Sequence, residues 1–286
     1  MKLGAMSTMY QFVNVPTAEY LERFAKRGLK YVDLMTIGDL QLRYLTADAI
    51  DDLRRTMHGL GMTPSCFIAN VGGNGASSKI DLRDRAVHLV SEAIGIASDL
   101  GFPMVLFFPG EKESGIPPAQ AWENMRSFVE QILRRAEQKR IVLTFENNPR
   151  IFRLVNSTDE VVRLLQELPS PLLQATVDIG HFSVIRESAT EIRKLAGRVV
   201  HAHLTDNDGT ADTNETLGTG ISPIVECLQE LRAAGVDQTA RQLGVEPVGV
   251  IELNSPEKLS LRSVDSILDR SVEYLHRVAA DCLDGV

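Results

Sequence analysis

Short apolar runs alternate with longer amphipathic stretches along the whole chain. Apolar runs of about four to eight residues are typical of strands buried on both faces, and apolar residues spaced three and four apart are typical of helices. The predicted strands are Lys2–Met6, Tyr31–Met35, Thr63–Ile68, Met104–Phe108, Ile141–Phe145, Leu173–Val177, Val199–Leu204 and Val248–Leu253. The predicted helices are Thr17–Arg27, Ala47–Leu60, Leu82–Leu100, Pro118–Gln138, Asp159–Leu168, Ala189–Leu195, Pro223–Ala234 and Ser263–Val278.

Local signals at the helix ends support this alternation. Ser157 and Thr158 provide a suitable cap before the apolar part of one predicted helix. Several other helices are expected to end at a glycine just before the next strand, as at Gly28, Gly61, Gly101 and Gly197. Eight strands that alternate with eight helices predict an α/β protein with a single (β/α)8 TIM barrel, which spans residues 1–286 as one domain.

An open, doubly wound sheet is the main alternative fold for this pattern. Such a sheet usually carries a Gly-x-Gly-x-x-Gly turn after an early strand, and this chain has none. The glycine-rich stretch 72–78 lacks that spacing and has no Lys-Ser or Lys-Thr after it. We therefore expect a mobile loop over the barrel mouth rather than a nucleotide-binding turn.

Composition and length agree with a soluble barrel. The chain has 286 residues, of which 44% are hydrophobic and 24% charged, and a typical TIM barrel has about 250 residues. No apolar run reaches the roughly 18 residues that a membrane span needs, so we expect no membrane partner. The first residues are too weakly apolar for a secretory signal and are expected to form the first strand.

Net charge and cysteine content indicate which partners and which cellular compartment to expect. The formal net charge of −8 argues against a nucleic acid or an anionic membrane as partner, because both require a basic face. Cys66, Cys227 and Cys282 lie far apart and form no Cys-x-x-Cys pair. This pattern is typical of a reduced cytoplasmic protein.

Four of the predicted strands end on a residue that can bind a metal ion. These residues are Glu146, Asp178, His203 and Glu252. The four strands are consecutive, and the C-terminal ends of barrel strands meet at one mouth, so the side chains are expected to converge. A lone strand-end carboxylate is usually solvated, but four buried polar groups without a common partner would be unfavourable. Carboxylate-rich donors favour Mn²⁺, Mg²⁺ or Co²⁺ over a structural zinc.

The residues next to these ligands allow structural as well as functional interpretations. His181 can bend over the site and hydrogen-bond a substrate oxygen, or it can simply begin a helix. His201 lies one layer deeper than His203 and is expected to brace the barrel interior. Asp206 and Asn207 can orient His203 or form a turn with Asp208-Gly209.

Aromatic residues near the strand ends are candidates for a substrate wall. Most of them are expected to be core, and only Phe108 and Phe67 are predicted to contact substrate. Asn147, directly after Glu146, is a further predicted substrate contact.

These motifs resemble the xylose isomerase-like TIM barrel superfamily, in particular its sugar phosphate isomerase/epimerase branch with the ketose 3-epimerases and inosose dehydratases. The matching segments are Phe145-Glu146-Asn147, Val177-Asp178-Ile179-Gly180-His181, His201-Ala202-His203-Leu204-Thr205-Asp206-Asn207, Leu217-Gly218-Thr219-Gly220 and Ile251-Glu252-Leu253. They cover the second half of the chain densely, whereas the first half matches mainly in its pattern.

The resemblance implies that Glu146, Asp178, His203 and Glu252 bind one divalent ion, with Mn²⁺ expected first and Mg²⁺, Co²⁺ or Zn²⁺ as alternatives. Glu146 and Glu252 would then be the catalytic acid/base pair, which works through a metal-bound enediolate formed beside a sugar carbonyl. His181 would be a catalytic residue that holds a substrate oxygen. The substrate would be a small sugar or polyol, and homo-oligomers are common among such proteins.

The chain departs from the related ketose 3-epimerases at three places. Gly209 stands where those enzymes carry an arginine that holds substrate hydroxyls. Gly218-Thr219-Gly220 replaces a frequent Gly-Glu-Gly turn, and the segment Gly235–Pro247 is longer than usual. These departures leave the metal ligands intact but leave the substrate open.

Three other functions remain as alternatives at this stage. The first is a lyase on the same scaffold, such as an inosose- or shikimate-type dehydratase or a C-glycoside-cleaving enzyme, which begins with the same proton abstraction. The second is a phosphodiester hydrolase with three zinc ions, which needs histidines that the third and fourth strand ends lack. The third is a non-catalytic binding barrel, and the complete ligand set argues against it.

Overall fold

The eight parallel strands close into a barrel in chain order, with β8 hydrogen-bonded back to β1. A computed structural model describes residues 1–254 and 259–284. Its strands are β1 Lys2–Met6, β2 Tyr31–Met35, β3 Thr63–Ala69, β4 Met104–Phe107, β5 Val142–Phe145, β6 Leu173–Asp178, β7 Val199–Leu204 and β8 Val248–Ile251. The predicted (β/α)8 barrel is confirmed, and three strands begin and end where the sequence pattern predicted.

Helices surround the barrel. The α-helices are α1 Thr8–Gln11, α2 Thr17–Lys26, α3 Ala47–Gly59, α4 Ile80–Leu100, α5 Pro118–Lys139, α6 Thr158–Glu167, α7 Ile179–Ile185, α8 Ile224–Ala233, α9 Val236–Gln242 and α10 Leu261–Val278. The helix predicted at Ala189–Leu195 is a 3-10 helix, and two shorter 3-10 turns lie at Gly38–Leu40 and Leu42–Tyr44. The cap predicted before α6 is a capping box between Ser157 and Glu160. None of these helices is both long and apolar enough to cross a bilayer, over the residues described.

The apolar core has an inner and an outer layer. The inner layer fills the barrel with Met6, Cys66, Ile68, Met104, Leu106, Val142, Val200, Val248 and Val250. The outer layer lies between the sheet and the helices and contains most of the large aromatic side chains. Because neighbouring strand residues point to opposite faces, each strand supplies both layers.

The segment between α8 and β8 closes the bottom of the barrel. We expected this segment to be longer than usual, and it contains the short helix α9. Ala240 in α9 and Val245 after it belong to the inner apolar layer, together with Val248 at the start of β8. This segment therefore seals the end of the barrel opposite the strand ends that carry the candidate ligands.

The stretch 72–78, predicted to be a mobile loop, is packed at its centre, whereas Gly72, Gly73 and Ser78 are exposed. Ala76 and Ser77 are fully buried. The Asn74 side-chain oxygen accepts hydrogen bonds from the Ala76 and Glu111 backbone N–H groups. A Cβ atom at Gly75 would lie 2.3 Å from the Phe128 ring, so this glycine permits close packing rather than motion.

Candidate metal centre

The four predicted ligands converge on one point at the barrel mouth. The register of β6 and β7 pairs Asp178 with His203. Nδ1 of His203 lies 3.3 Å from Oε2 of Glu146 and 3.0 Å from Oε2 of Glu252. Oδ2 of Asp178 lies 4.0 Å from the same nitrogen. One imidazole nitrogen thus faces three carboxylates from three other strand ends.

In each carboxylate, one oxygen accepts a hydrogen bond from the protein and the other oxygen faces His203. Oε1 of Glu252 accepts a hydrogen bond from Nδ2 of Asn214 at 3.2 Å, and Oε1 of Glu146 lies 3.5 Å from Nδ2 of Asn148. Oδ1 of Asp178 likewise accepts from the Thr205 hydroxyl and from a backbone N–H at the start of α7. These contacts fix the carboxylates and leave three oxygens directed at the shared centre.

Burial shows that this donor set fits a cation. The side chains of Asp178 and His203 are 2% and 3% exposed, and that of Glu146 is 8% exposed. Oε2 of Glu146 and both ring nitrogens of His203 are buried without a hydrogen-bond partner in the described part of the chain. Buried carboxylates at this spacing repel one another unless a positive charge lies between them. Three carboxylates and one imidazole suit one divalent ion.

The pKa values of the cluster reflect the same electrostatics. Burial acts to lower the pKa of His203, but the carboxylates around the ring, led by Asp33, hold it well above its ordinary value. Burial raises the pKa of Asp178 to about 7, and the Glu146 carboxylate acts in the same direction. Burial acts to lower the pKa of His181, but the carboxylates near it, Asp178 foremost, raise it to about 10. Such a cluster retains protons that a divalent cation would displace.

His181 both begins a helix and faces the site. It lies in the first turn of α7, a helix that the sequence pattern did not predict, and Asp178 is the N-cap of that helix. Its Nδ1 donates to the backbone oxygen of Asn147 at 2.6 Å. Its Nε2 therefore faces Oδ2 of Asp178 at 3.6 Å and Oδ1 of Asp212 at 3.4 Å.

The other predicted neighbours have different roles. The Asp206 carboxylate accepts hydrogen bonds from the backbone N–H groups of Gly218, Gly220 and Ser222. It folds the loop before α8 and has no contact that orients His203, so that interpretation was wrong. His201 is fully buried below His203, where it braces the interior as expected, with its Nε2 2.8 Å from Asp33.

The predicted substrate contacts separate into two groups. Phe108 lines a cavity of about 200 Å³ above the ligands. Phe67 does not, because it points outward from β3 and packs on Phe102 with ring centroids 5.4 Å apart. Asn147 is 3% exposed and is absent from the cavity lining, whereas the next residue, Asn148, lines it.

Several cavity residues were not predicted from the sequence. They are Thr8, Phe12, Met35, Asn70, Asn148, Arg150, Arg153, Asp212, Asn214 and Asn254. Gly209, where the resemblance implies an arginine in ketose 3-epimerases, has a positive φ of 81° and packs on Ile221. Arg150 and Arg153, from the loop after β5, bring guanidinium groups to the cavity instead. Their place in the sequence, in the loop after a strand that carries a candidate ligand, could have indicated that they line the cavity.

Fold and site together define a closed (β/α)8 barrel with three carboxylates and an imidazole at its mouth. The family model described as xylose isomerase-like TIM barrel matches residues 21–269. The chain belongs to this family, and the resemblance noted from its motifs is confirmed.

Two relatives illustrate the sequence similarity. A protein of Methanocaldococcus jannaschii is 24% identical over 222 residues, which cover 77% of this chain and 83% of that protein. Fructoselysine 3-epimerase of Shigella flexneri is 25% identical over 158 residues, which cover 54% of this chain and 57% of the epimerase. The second match therefore spans just over half the length of that enzyme.

Two solved structures share the whole barrel. D-psicose 3-epimerase from Clostridium cellulolyticum H10, crystallised with D-tagatose, superposes with a TM-score of 0.80 at 17% identity over 97% of this chain and 99% of that one. IolI protein with a bound zinc atom superposes with a TM-score of 0.78 at 18% identity over 98% and 100%. At these identities the likeness establishes the fold.

Proposed function

We propose that the protein is a divalent-metal-dependent isomerase or epimerase of a small keto sugar or related polyol. The observation that carries this proposal is the position of Glu146 and Glu252, which approach Nδ1 of His203 from different strand ends and both line the cavity. The epimerases among the relatives and structural neighbours support the same class of reaction.

Glu146, Asp178, His203 and Glu252 would hold the ion. The ion supplies positive charge that stabilises negative charge developing on a substrate oxygen beside a carbonyl. Mn²⁺ is our first expectation because three of the four donors are carboxylates. The zinc in IolI shows that a barrel of this fold also accepts Zn²⁺, so a titration with Mn²⁺, Mg²⁺, Co²⁺ and Zn²⁺ is needed to rank them.

The two glutamates are the proton-transfer residues of this proposal. Each is held through Oε1 by an asparagine, so that Oε2 keeps its direction while a proton moves. One glutamate removes the proton from the carbon beside the carbonyl, and the other returns a proton from the opposite face. This exchange inverts the carbon without any change in the rest of the sugar.

His181 is proposed to hold a substrate oxygen. Its Nδ1 is fixed by Asn147, which leaves Nε2 directed at Asp178 and Asp212 beside the cavity. Phe108 covers another side of the cavity, and the Arg153 guanidinium lies 4.6 Å above its ring. Polar and apolar walls of this kind suit a small polyol, whose ring carries hydroxyls and C–H faces.

Solvent deuterium exchange tests the proposal. The Mn²⁺-loaded protein is incubated in D2O with a panel of ketoses and inososes, the ion is removed, and NMR locates the label. Deuterium beside a carbonyl in an epimer supports the proposal and identifies the reacting carbon. A dehydrated or aglycone product would favour the lyase alternative, and no label in any compound that binds would contradict proton transfer.

A further inference from the structure

A buried carboxylate lies on the far side of His203 from the other ligands. Asp33 projects inward from β2 and is fully buried. Its Oδ1 accepts hydrogen bonds from the Ser65 hydroxyl and the Cys66 backbone N–H. Its Oδ2 lies 2.8 Å from Nε2 of His201 and 3.5 Å from Nε2 of His203. Asp33 thus contacts both imidazoles from beneath.

The His203 ring has a different environment at each nitrogen. Nδ1 faces the three carboxylates at the barrel mouth, at 3.0 to 4.0 Å. Nε2 is buried without a hydrogen-bond partner among the described residues, and Oδ2 of Asp33 is the carboxylate oxygen that faces it. A neutral imidazole carries its proton on one nitrogen, and an ionised carboxylate can only accept. The arrangement therefore favours the proton on Nε2.

We propose that Asp33 is a positioning residue that keeps the proton of His203 on Nε2 and so leaves the Nδ1 lone pair free to bind the divalent ion. This inference rests on the proposed metal-dependent function. A carboxylate behind a metal-binding histidine fixes both the tautomer and the plane of the ring. Here that carboxylate comes from β2, on the opposite side of the barrel from the ligand-bearing strands.

A second metal ion is the competing explanation for the same residues. One donor atom each from Asp33, His201 and His203 lie within 4.8 Å of one another. His203 would then have to lose its Nε2 proton and bridge two ions through both nitrogens. Oδ1 of Asp33 already accepts two hydrogen bonds, and the trio is closed off from the cavity above. These contacts favour Asp33 as a support of the two imidazoles over a second ion.

The Nε2–H proton of His203 provides a direct test in the unmodified protein. In 15N-histidine-labelled protein loaded with diamagnetic Zn²⁺, we expect a slowly exchanging, downfield Nε2–H signal on His203 and metal coordination at Nδ1. The His203→Gln variant assigns the signal. A rapidly exchanging Nε2–H signal, or coordination through Nε2, would overturn the proposal.

Asp33→Asn tests the consequence for metal binding. The amide oxygen must accept from Ser65 and Cys66, so the amide NH2 group is turned toward the imidazoles and meets Nε2–H donor to donor. We expect Mn²⁺ affinity to fall about 10- to 100-fold in calorimetric titration. Asp206→Asn is the matched control, because it removes an equally buried carboxylate that folds a loop but does not contact His203.

The outcomes separate this inference from the proposed function. Wild-type protein that binds no Mn²⁺ or Zn²⁺ would refute the metal-dependent function itself. Wild-type binding with an unchanged affinity in a folded Asp33→Asn variant would refute only the role of Asp33. Two ions per chain in the wild type, with one lost in the variant, would establish a second metal site instead.

Discussion

The two halves of the barrel differ in what their strand ends bring to the mouth. Strands β5 to β8 carry, at or next to their C-terminal ends, the three carboxylates and the imidazole that meet at one point. Strands β1 to β4 end on the uncharged residues Met6, Met35, Ala69 and Phe107. The first half therefore supplies an apolar wall above the site and one carboxylate, Asp33, beneath it. The candidate ligands and the carboxylate that supports one of them therefore come from different halves of the barrel.

The largest expected effect comes from the half that carries the ligands. Glu146→Gln keeps the size of the side chain but removes a ligand charge and a proton-transfer group. We expect kcat to fall by about 10³-fold or more and Mn²⁺ binding to weaken. The measurement is the rate of deuterium incorporation at saturating Mn²⁺. Glu123→Gln on the surface of α5 is the control, and wild-type activity in the Glu146 variant would refute the assignment.

His181→Ala should separate substrate handling from metal binding. His181 contacts Asp178 and Asp212 but lies apart from Nδ1 of His203, so the ion should still bind. We expect kcat to fall about 10²-fold, with Mn²⁺ stoichiometry unchanged in calorimetric titration. Loss of the ion in this variant would make His181 a ligand and would change the coordination proposed here.

Phe108 and Phe67 both belong to the first half of the barrel, but their replacement by alanine should have different effects. Phe108→Ala removes a cavity wall, so we expect KM to rise about tenfold, since one buried apolar contact is worth about 1–3 kcal/mol to a substrate. Phe67→Ala should instead lower the free energy of unfolding by about 3–5 kcal/mol, with KM unchanged in the folded protein. Denaturant unfolding and steady-state kinetics on both variants test this, and reversed effects would contradict the placement of the two rings.

The last prediction concerns stability, on which removal of the proposed ion should have a modest effect. An ion that binds only the folded state stabilises it by about 2.7 kcal/mol at 100 times its Kd. For a protein of this size we expect Tm to rise by about 5–10 °C when Mn²⁺ replaces a chelator. Asp178→Asn should lose most of that rise. An equal rise in both proteins would show that Mn²⁺ stabilises the fold at some other place.

The sequence predicted the fold and the four candidate ligands because both depend on strand periodicity. Phe67 could have been placed by the same rule, since Cys66 and Ile68 beside it face the barrel interior. Helix α7 was missed because its first turn is buried on all sides and lacks an amphipathic period. Arg150 and Arg153 depend on a loop conformation, which periodicity does not encode.

The sequence also contained an indication, not used for the predictions above, that Asp33 supports the site. It is a carboxylate in the middle of the apolar strand Tyr31–Met35, and a charge buried in that way needs a partner. The partner could not be named from the sequence, because His201 and His203 follow about 170 residues later along the chain. Only closure of the barrel brings β2 and β7 to opposite sides of one interior.

Helix α9 and Val245 close the barrel below the candidate site, so within the described part of the chain the cavity is open only on the side of the strand ends. Apolar side chains fill the barrel below His201, so among residues 1–254 and 259–284 no passage leads to its lower end. Phe12 and Arg150 line the cavity above the candidate ligands, and in the proposed reaction substrate and product would enter and leave on this side of the barrel. In the proposed reaction, a product that has not left occupies the site of the next substrate molecule, so added product should act as a competitive inhibitor.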